Sequence, residues 1–513
     1  MKKSTLFIGL LLLAIALPTT QAWAVSHVLM TTKVAPGAKI KLRVDAAGAI
    51  TIGGVANPGD YVKGKEIEYE LKDSKITVDG DMDSLWCYNI QLTELDVTQA
   101  PTLGRLYCYG NQLKTLDVSK NAKLRYLNCS NSTLESINLN GAVALEGLYC
   151  YGNKLKSLDL SSCTKLRKLY CNNNNLSELN LDNNTALALL FCNVNQLKTL
   201  DVTKNTALLA LFCGSNQLTN LDLKANSKLI ELGCSKNELT TLDLDACTRL
   251  KILYCYGNKL KGLQLTKQTQ LDEMDCRNNP FEGGTIDLSH LTNLTDLTID
   301  TCALTSLDLS KNTKLTKLYC AANELTSLNL DNQSKLTHLS CPYNKLTALD
   351  LTQNVNLAEV RCYVNQIQGE KMTALVNSLV KRSPAEPGFF YVVDLTVAQE
   401  KNKVLKSDAQ IATNKNWLVC NLNGGDDKAE IYEGEEGSGV AQNVGVAVNV
   451  KVENGTVMVT GAKVGEVVEL YDMAGRKVAG AVAGAQGNAT VALPAQGACV
   501  ARVAGMAVKV LNR

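Results

Sequence analysis

Cysteine is the residue of this chain with the widest chemical repertoire, and there are 18 cysteines against only three histidines. Ten of them recur every 21 residues from Cys87 to Cys276. The spacing slips by two residues at Ile299 and then resumes from Cys320 to Cys362. Thiols can form disulfides, bind a metal or act as nucleophiles, and their spacing bears on each of these.

A fixed period places these thiols, the cysteine ladder, in one column of stacked units. Neighbouring in-register Cβ atoms would lie about 4.8 Å apart, beyond the usual disulfide separation. There cysteine serves as a small hydrophobic side chain, so we expect reduced thiols. The ladder also lacks the close paired spacing of a zinc site, and no metal or cofactor is expected.

The three histidines are His27, His290 and His338, and none lies in a recognised nucleophile or metal motif. His338 stands three places before Cys341, which puts the two side chains on opposite faces of a strand. Because a nucleophile and its base must come within hydrogen-bond reach, we expect no catalysis.

The residues around each cysteine predict the element that carries it. One unit reads L-x-x-L-x-C-x-x-N-x-L-x-x-L-D-L-S/T-x-N. Leu106 and Cys108 alternate with Tyr107 and Tyr109, as in a strand with one buried face. Units of this length bury their apolar faces only by stacking. The sequence therefore predicts a solenoid of about fourteen coils, mostly β and coil, over residues 81–370.

This unit resembles the leucine-rich repeat, in the short cysteine-bearing form similar to the internalin type and to large surface protein families of Bacteroidetes. The resemblance implies a right-handed solenoid with its parallel strands on the concave face. It also implies a protein-binding role, such as adhesion to host or neighbouring cells.

The amino terminus has the pattern of an export signal. Lys2 and Lys3 precede the apolar run Leu6–Leu17, and Ala22–Ala24 supplies a small-x-small cleavage site. Residues 1–24 are therefore predicted to be a signal peptide, and the mature protein is expected to work outside the cytoplasm.

Both ends of the solenoid need covering, because terminal units differ from inner ones. Residues 25–80 alternate like strands, at Lys39–Val44 and Ile67–Leu71, and are predicted to form a β-rich cap. Residues 371–425 are predicted to close the other end, with a short helix near Met372–Val380. The acidic, glycine-rich residues 426–443 are interpreted as a linker.

Residues 444–513 change to valine, alanine and glycine, and their short apolar runs predict a β-sandwich. The motifs Val467–Val478 and Gly505–Leu511 resemble those of the type IX secretion sorting domain. That resemblance implies export by the type IX machinery, then anchoring on the outer membrane or release. The chain departs from the family at Gly497–Val500, where an aromatic residue is usual. The alternative is a plain accessory sandwich.

Aromatic residues flank the ladder on the predicted outward face and are the candidate ligand-binding residues. They are Trp86, Tyr88, Tyr107, Tyr109, Tyr149, Tyr151, Tyr170, Phe191, Phe212, Tyr254 and Tyr256, with Tyr319 and Tyr363 further along. Towards the C-terminal end this face becomes charged, at Glu273, Asp275, Arg277, Asp296, Asp300, Lys317, Glu359 and Arg361.

An exposed aromatic surface indicates an interaction site. The leading hypothesis is a monomeric, surface-displayed protein that binds a protein ligand. Glycan binding and a purely structural surface coat are the alternatives, and the rings could merely reinforce neighbouring strands. A net charge of +2 argues against nucleic acid.

Overall fold

The computed structural model describes residues 26–57, 61–436, 449–453, 456–460, 465–472, 477–484, 486, 488–492, 497–503 and 506–512. The predicted signal peptide lies outside this part of the chain. Within it, one hydrophobic core runs from Val28 to Val419, and no helix is long and apolar enough to cross a membrane.

An antiparallel β-structure covers the N-terminal end of the solenoid. Its strands are β1 (His27–Thr32), β2 (Lys39–Ala46), β3 (Thr51–Gly53), β4 (Glu66–Glu70), β5 (Lys75–Asp79), β6 (Met82–Trp86) and β7 (Leu92–Gln99). Four of them form a sheet in the order β3-β5-β1-β7, while β2 pairs with both β4 and β6. Because β6 also pairs with the first solenoid strand, the cap continues directly into the repeats.

The solenoid consists of three-residue strands stacked in parallel. The strands that follow β6 on this sheet are β8 (Arg105–Tyr107), β10 (Tyr126–Asn128), β12 (Gly147–Tyr149), β13 (Lys168–Tyr170), β14 (Leu189–Phe191), β15 (Ala210–Phe212), β16 (Glu231–Gly233), β17 (Ile252–Tyr254), β18 (Glu273–Asp275), β19 (Asp296–Thr298), β20 (Lys317–Tyr319), β21 (His338–Ser340) and β22 (Glu359–Arg361). On the opposite wall β9 (Thr115–Asp117) pairs with β11 (Ser136–Asn138). From β6 to β22 the sheet makes about thirteen turns, which confirms the predicted solenoid.

In-register pairing aligns equivalent residues of successive coils. Leu169 pairs with Leu190, and Leu190 pairs with Leu211. The ladder cysteines have no exposed surface, and the sixteen cysteines from Cys87 to Cys362 are buried free thiols. Burial in this apolar column raises the pKa of the Cys150 thiol to about 12. The thiols therefore stay protonated and pack as hydrophobic side chains.

The asparagine three places after most ladder cysteines ties neighbouring coils together. The Nδ2 of Asn237 donates to the carbonyl oxygens of Cys213 and Cys234 at 3.1 and 3.0 Å. Its Oδ1 accepts from the backbone amide of Leu218 at 3.0 Å. A second asparagine column does similar work at the far turn, where Asn226 donates to the carbonyls of Val202 and Asn205. These amides satisfy backbone groups that the short strands leave unpaired.

Each coil also turns through a left-handed residue two places after the ladder position. This residue is glycine at Gly110, Gly152 and Gly257, but β-branched Val194 also adopts a φ of 56° there. Left-handed backbone is costly for such a side chain. The stacking of identical coils therefore imposes one conformation on many different residues.

The two-residue slip before Ile299 is absorbed in a turn away from the strands. Residues Glu282–Gly284 form a short 3-10 turn in which Gly283 and Gly284 have φ of 79° and 66°. Strand pairing continues across the slip, with Met274 opposite Leu297. The strand sheet is thus uninterrupted.

The C-terminal cap extends the sheet and covers its last coil. It contains α1 (Glu370–Ser378), β23 (Gly388–Val393), α2 (Lys406–Asn414), β24 (Trp417–Asn421) and β25 (Glu430–Ile431). Strand β23 pairs in parallel with β22, and β24 pairs with β23. Asn402 donates to the carbonyls of Cys362 and Val392 at 2.8 Å and so continues the asparagine column. Residues 426–436, expected in a linker, include β25, which pairs with β24.

The C-terminal residues form two small sheets around a shared core. The strands are β26 (Asn449–Glu453), β27 (Thr456–Thr460), β28 (Val467–Asp472), β29 (Lys477–Val482), β30 (Ala489–Ala492), β31 (Gly497–Val503) and β32 (Met506–Asn512). One sheet has the order β26-β27-β30 and the other β29-β28-β31-β32. Val457 and Val459 from the first sheet pack with Val468 and Leu470 from the second.

Candidate ligand-binding face

The side chains that alternate with the buried leucine and cysteine of β6, β8, β10 and β12–β22 form one surface, here called the strand face. Because the coils are in register, equivalent side chains stand above one another. Tyr149, Tyr170, Phe191 and Phe212 stack in a row with ring centroids 4.8, 4.5 and 4.7 Å apart. Their planes are within 16° of parallel. This row follows directly from the repeat spacing, since coils lie about 4.8 Å apart.

A second aromatic group lies at the N-terminal end of the strand face. Trp86 stacks on Tyr107 at 5.1 Å, and Tyr88 stacks on Tyr109 at 4.6 Å. With Tyr151 these rings line a groove of about 450 Å³.

The N-terminal cap supplies two charged residues to this groove. The guanidinium of Arg43 lies 4.1 Å from the ring centroid of Trp86, a cation–π contact. The Tyr88 hydroxyl donates to the Glu66 carboxylate, and this bond with burial raises the pKa of Tyr88 to about 12. Opposite charges on two neighbouring cap strands thus frame the end of the aromatic groove.

Beyond Phe212 the row of rings is interrupted by Gly233, and the next aromatic residues are Tyr254 and Tyr256. The Tyr254 hydroxyl donates to Glu273 at 2.7 Å. Burial is the larger cause of the raised pKa of Tyr254, and the hydrogen bond to Glu273 is the second cause. Tyr254 therefore marks the boundary between the aromatic and the charged part of the strand face.

The charged end of the strand face is largely satisfied by its own ion pairs. Lys317 contacts Asp296 at 2.7 Å, and Arg361 contacts both Glu359 at 2.5 Å and Asp426 at 2.6 Å. A ligand that bound here would have to compete with these contacts.

Asp300 is the carboxylate of this region whose pKa burial changes most clearly. Burial raises the pKa of Asp300 to about 6, although its Oδ1 accepts a 2.6 Å hydrogen bond from the amide of Ala321. Near neutral pH this half-buried carboxylate is charged, and its incomplete hydration lowers the stability of the folded state.

The structure brings the eleven sequence-predicted residues together in three groups. Trp86, Tyr88, Tyr107, Tyr109 and Tyr151 surround the N-terminal groove; Tyr149, Tyr170, Phe191 and Phe212 form the row; Tyr254 and Tyr256 follow the gap.

One residue of the aromatic columns is not on the exposed surface. Tyr363 is only 9% exposed, because the C-terminal cap packs over it together with Phe389 and Leu418. The expectation that Tyr363 faces solvent was wrong, because the C-terminal cap covers the last coil.

Three further residues of the strand face were missed. Tyr126 lies three places before Cys129 and contacts Glu146 through its hydroxyl at 3.3 Å. The repeat could have revealed it, because the position three before the cysteine also faces outward. Arg43 and Glu66 come from the cap, which has no repeat to place them.

Metal and thiol chemistry gain no support from the geometry. Among the described residues no group of three or more histidine, cysteine or acidic side chains could hold a metal ion. His27 contacts Asp79 at 2.6 Å, and His338 contacts the Thr337 hydroxyl at 2.9 Å. Neither approaches a thiol nucleophile in these contacts.

Known proteins share the repeat and the solenoid. A family model for leucine-rich repeats (two copies) matches residues 143–184. A comparison with curated proteins gives no significant match. The functional domain of InlJ from Listeria monocytogenes, which includes a cysteine ladder, is 26% identical with a TM-score of 0.54, over 86% of this chain and 92% of that one. YopM from Yersinia enterocolitica WA-314 is 24% identical with a TM-score of 0.50, over 56% and 61%, and shares the fold. The chain thus carries leucine-rich repeats in a solenoid similar to the cysteine-ladder domain of InlJ.

Proposed function

We propose that this protein is an exported, surface-displayed recognition protein that binds a protein ligand on the aromatic part of its strand face. The observation that carries the proposal is the concentration of aromatic rings on one side of the solenoid, from Trp86 to Phe212. Stacked rings present a large, rigid, apolar surface whose ordering costs little side-chain entropy on binding. Tyrosine and tryptophan are frequent anchors of protein interfaces.

The site supports binding rather than a reaction. Its polar atoms are phenol hydroxyls and a few carboxylates, and the thiols beneath it are buried and protonated. A nucleophile with an adjacent base is the minimum for most covalent chemistry. The similarity to a leucine-rich-repeat domain of the internalin type fits the same role.

The terminal sequences support export. The N-terminal signal and the two C-terminal motifs, Val467–Val478 and Gly505–Leu511, would direct the chain through the inner membrane and then to the type IX machinery. The product would be a protein on the cell surface, anchored or released.

The test is capture of partners by the immobilised mature protein, in parallel with the double variant Tyr109→Ala, Tyr151→Ala. A protein ligand retained by the wild type and lost with the variant supports the proposal. A double variant Lys154→Ala, Lys156→Ala, changed away from the rings, is the control and should retain it. Capture unaffected by the tyrosine changes contradicts the proposed site.

A glycan ligand is the second candidate, because sugar faces also stack on aromatic rings and Arg43 and Glu66 supply polar groups beside them. A glycan array probed with the same protein pair separates the two. Saturable binding to one glycan class that the tyrosine variant loses would replace the protein ligand with a glycan. Absence of any saturable ligand in either experiment would favour the structural surface coat.

A further inference from the structure

The row of rings on the strand face has a gap that is one coil wide. Phe212 pairs in register with Gly233, and Gly233 pairs with Tyr254. Phe212 and Tyr254 are therefore two coil steps apart, about 9.6 Å along the solenoid. Rings elsewhere in the row follow each other at 4.5 to 4.8 Å. The missing ring at position 233 thus leaves space for about one aromatic ring.

The floor and walls of this gap are well defined. The space, of about 400 Å³, is lined by Phe191, Phe212, Gly233, Ser235, Tyr254 and Tyr256 among others, and is here called the aromatic slot. A Cβ at position 233 would lie 2.5 Å from Cδ1 of Phe212, so the Phe212 ring leans over the Gly233 backbone. The face of Phe212 that points away from Phe191 is therefore left without a stacking partner from β16.

Ser235 is a polar residue in the lining of the slot. The residue is 6% exposed, and its Oγ is buried without a hydrogen-bond partner among the described residues. Ser130 occupies the same repeat position two residues after β10, and its Oγ donates to Asn128 Oδ1 at 2.8 Å. A buried hydroxyl without a partner is unusual, because most buried polar atoms are hydrogen-bonded. In the slot, a ligand can supply the partner that Asn128 supplies to Ser130.

The charge around the slot selects a neutral guest. All of its lining residues are uncharged: aromatic rings, glycines, serines and the two asparagines Asn172 and Asn193. Glu273 beyond the slot is engaged by the Tyr254 hydroxyl. Arg277 and Lys236 lie over the ring of Tyr256, 5.0 and 5.9 Å from its centroid, and neither lines the slot. A phenol combines a neutral ring with a hydroxyl that can bond to Ser235.

We propose that the aromatic slot is a subsite for a tyrosine side chain of the protein ligand, its ring between Phe212 and Tyr254 and its hydroxyl bonded to Ser235. This inference rests on the proposed function and names the ligand chemistry of one part of the face. It makes Gly233 a functional residue, since any larger side chain would fill the space that the guest ring takes.

The test uses the mature full-length protein and p-cresol as the probe, followed by ligand-observed NMR titration. A ligand of this size gives a Kd on the order of 1 mM in a fitting site. Gly233→Leu should weaken p-cresol binding at least about tenfold, because its side chain fills the slot and displaces the Phe212 ring that forms one wall. Ser235→Ala should weaken p-cresol about fivefold and leave toluene, which lacks the hydroxyl, unchanged.

Ser130→Ala is the matched control, because it changes the same repeat position outside the slot and should leave p-cresol binding intact. Tyr254→Ala removes one wall of the slot and should also weaken the binding of both p-cresol and toluene. It provides the test if Gly233→Leu fails to fold. Unfolding midpoints identify a variant that does not fold.

Three results would overturn the subsite: no p-cresol binding at 10-fold above the expected Kd, binding that Gly233→Leu and Tyr254→Ala leave unchanged, or displacement of p-cresol by methyl glucoside but not by tyrosine amide. These probes need no protein ligand, so their outcome is separate from that of the capture experiment. A captured protein whose binding survives Gly233→Leu would also overturn the subsite while leaving the proposed function in place.

Discussion

The thiol of Cys302 lies 3.3 Å from the backbone carbonyl oxygen of Cys276, to which it donates a hydrogen bond. In the neighbouring coils an asparagine amide binds this class of carbonyl, as Asn279 binds that of Cys255 at 3.1 Å. At the one coil where the repeat slips, a thiol thus replaces an amide. The hydrogen bond with the Cys302 thiol and burial together raise the pKa of Cys276, so Cys276 stays protonated within the core.

The first prediction is a loss of stability in alkali. Burial raises the pKa of the Cys150 and Cys234 thiols from 9.0 to about 12. A raised folded-state pKa contributes stability that is complete below about pH 9 and is lost as the pH rises towards 12. The urea midpoint should therefore fall between pH 8 and pH 10.5, and fall less steeply in Cys192→Ala, which has one ladder thiol fewer. An unchanged midpoint would contradict a reduced, buried ladder.

The second prediction concerns the polarity of the ladder position. Cys192 has no exposed surface and lies among leucines. Cys192→Ser should lower the free energy of unfolding by roughly 1–3 kcal/mol, because it buries a hydroxyl without an assured partner. Cys192→Ala leaves only a small cavity and should cost less. Urea unfolding of both variants measures the difference, and a serine variant more stable than the alanine variant would refute it.

The third prediction concerns Asp300. Burial raises the pKa of Asp300 to about 6, whereas the carboxyl of the unfolded chain has a pKa of 3.8. Its contribution to stability is therefore complete below pH 3.8 and is lost as the pH rises through about 6, because the unfolded chain ionises more easily. The difference in unfolding free energy between Asp300→Asn and the wild type should therefore shift in favour of the variant by about 1–3 kcal/mol from pH 3.5 to pH 7.5. Asp308 is the control with the opposite sign, because the amide of Ser310 holds its pKa low. Equal effects of Asp300→Asn at both pH values would show that the carboxylate carries no such cost.

The fourth prediction distinguishes the two ends of the strand face. Tyr109→Ala should weaken ligand binding by about 2 kcal/mol, as for a central interface anchor, with little loss of fold stability. Binding should also depend weakly on salt, because the ion pairs lie further along the face. Titration calorimetry at two ionic strengths measures both. If Glu359→Ala and Arg361→Ala abolish binding while Tyr109→Ala and Tyr151→Ala preserve it, the charged end carries the site.

The fifth prediction concerns the C-terminal sheets. Removing residues 440–513 should leave the solenoid folded, because its core ends at Val419. The truncation does remove two hydrogen bonds to the cap, from the Tyr471 hydroxyl to the Pro384 carbonyl at 3.0 Å and from the Arg502 guanidinium to Asn416 Oδ1 at 3.5 Å. A small fall in the unfolding midpoint is therefore expected. In cells the truncated protein should accumulate in the periplasm. Normal surface display, measured with antibody on intact cells, would disprove the sorting role.

The repeat made most of the solenoid predictable. Once Leu106 and Cys108 are assigned inward, the 21-residue period assigns every equivalent residue, and the row from Tyr149 to Phe212 follows. Stacking makes this reliable, because each coil contacts only its neighbours.

Features that depend on distant parts of the chain were not predictable in the same way. Arg43 reaches Trp86 only because β2 pairs with β6, and Tyr363 is buried only because the C-terminal cap folds over it. Helix α2 was not predicted at all: the apolar residues that Lys406–Asn414 buries are only the alanines Ala409 and Ala412, and the helix contacts α1 and β24.

The parallel ladder has a mechanical consequence for a protein fixed at one end and bound to a partner at the other. The hydrogen bonds of the strands join successive coils and lie along the length of the solenoid. Tension between the two ends acts along these hydrogen bonds, which break one coil at a time, so the coils would unfold one after another. Each would release about 70 Å of chain, since 21 residues extend to about 3.5 Å each and give up a single 4.8 Å step. The solenoid would thus yield in even increments under tension and lengthen severalfold before its attachment broke.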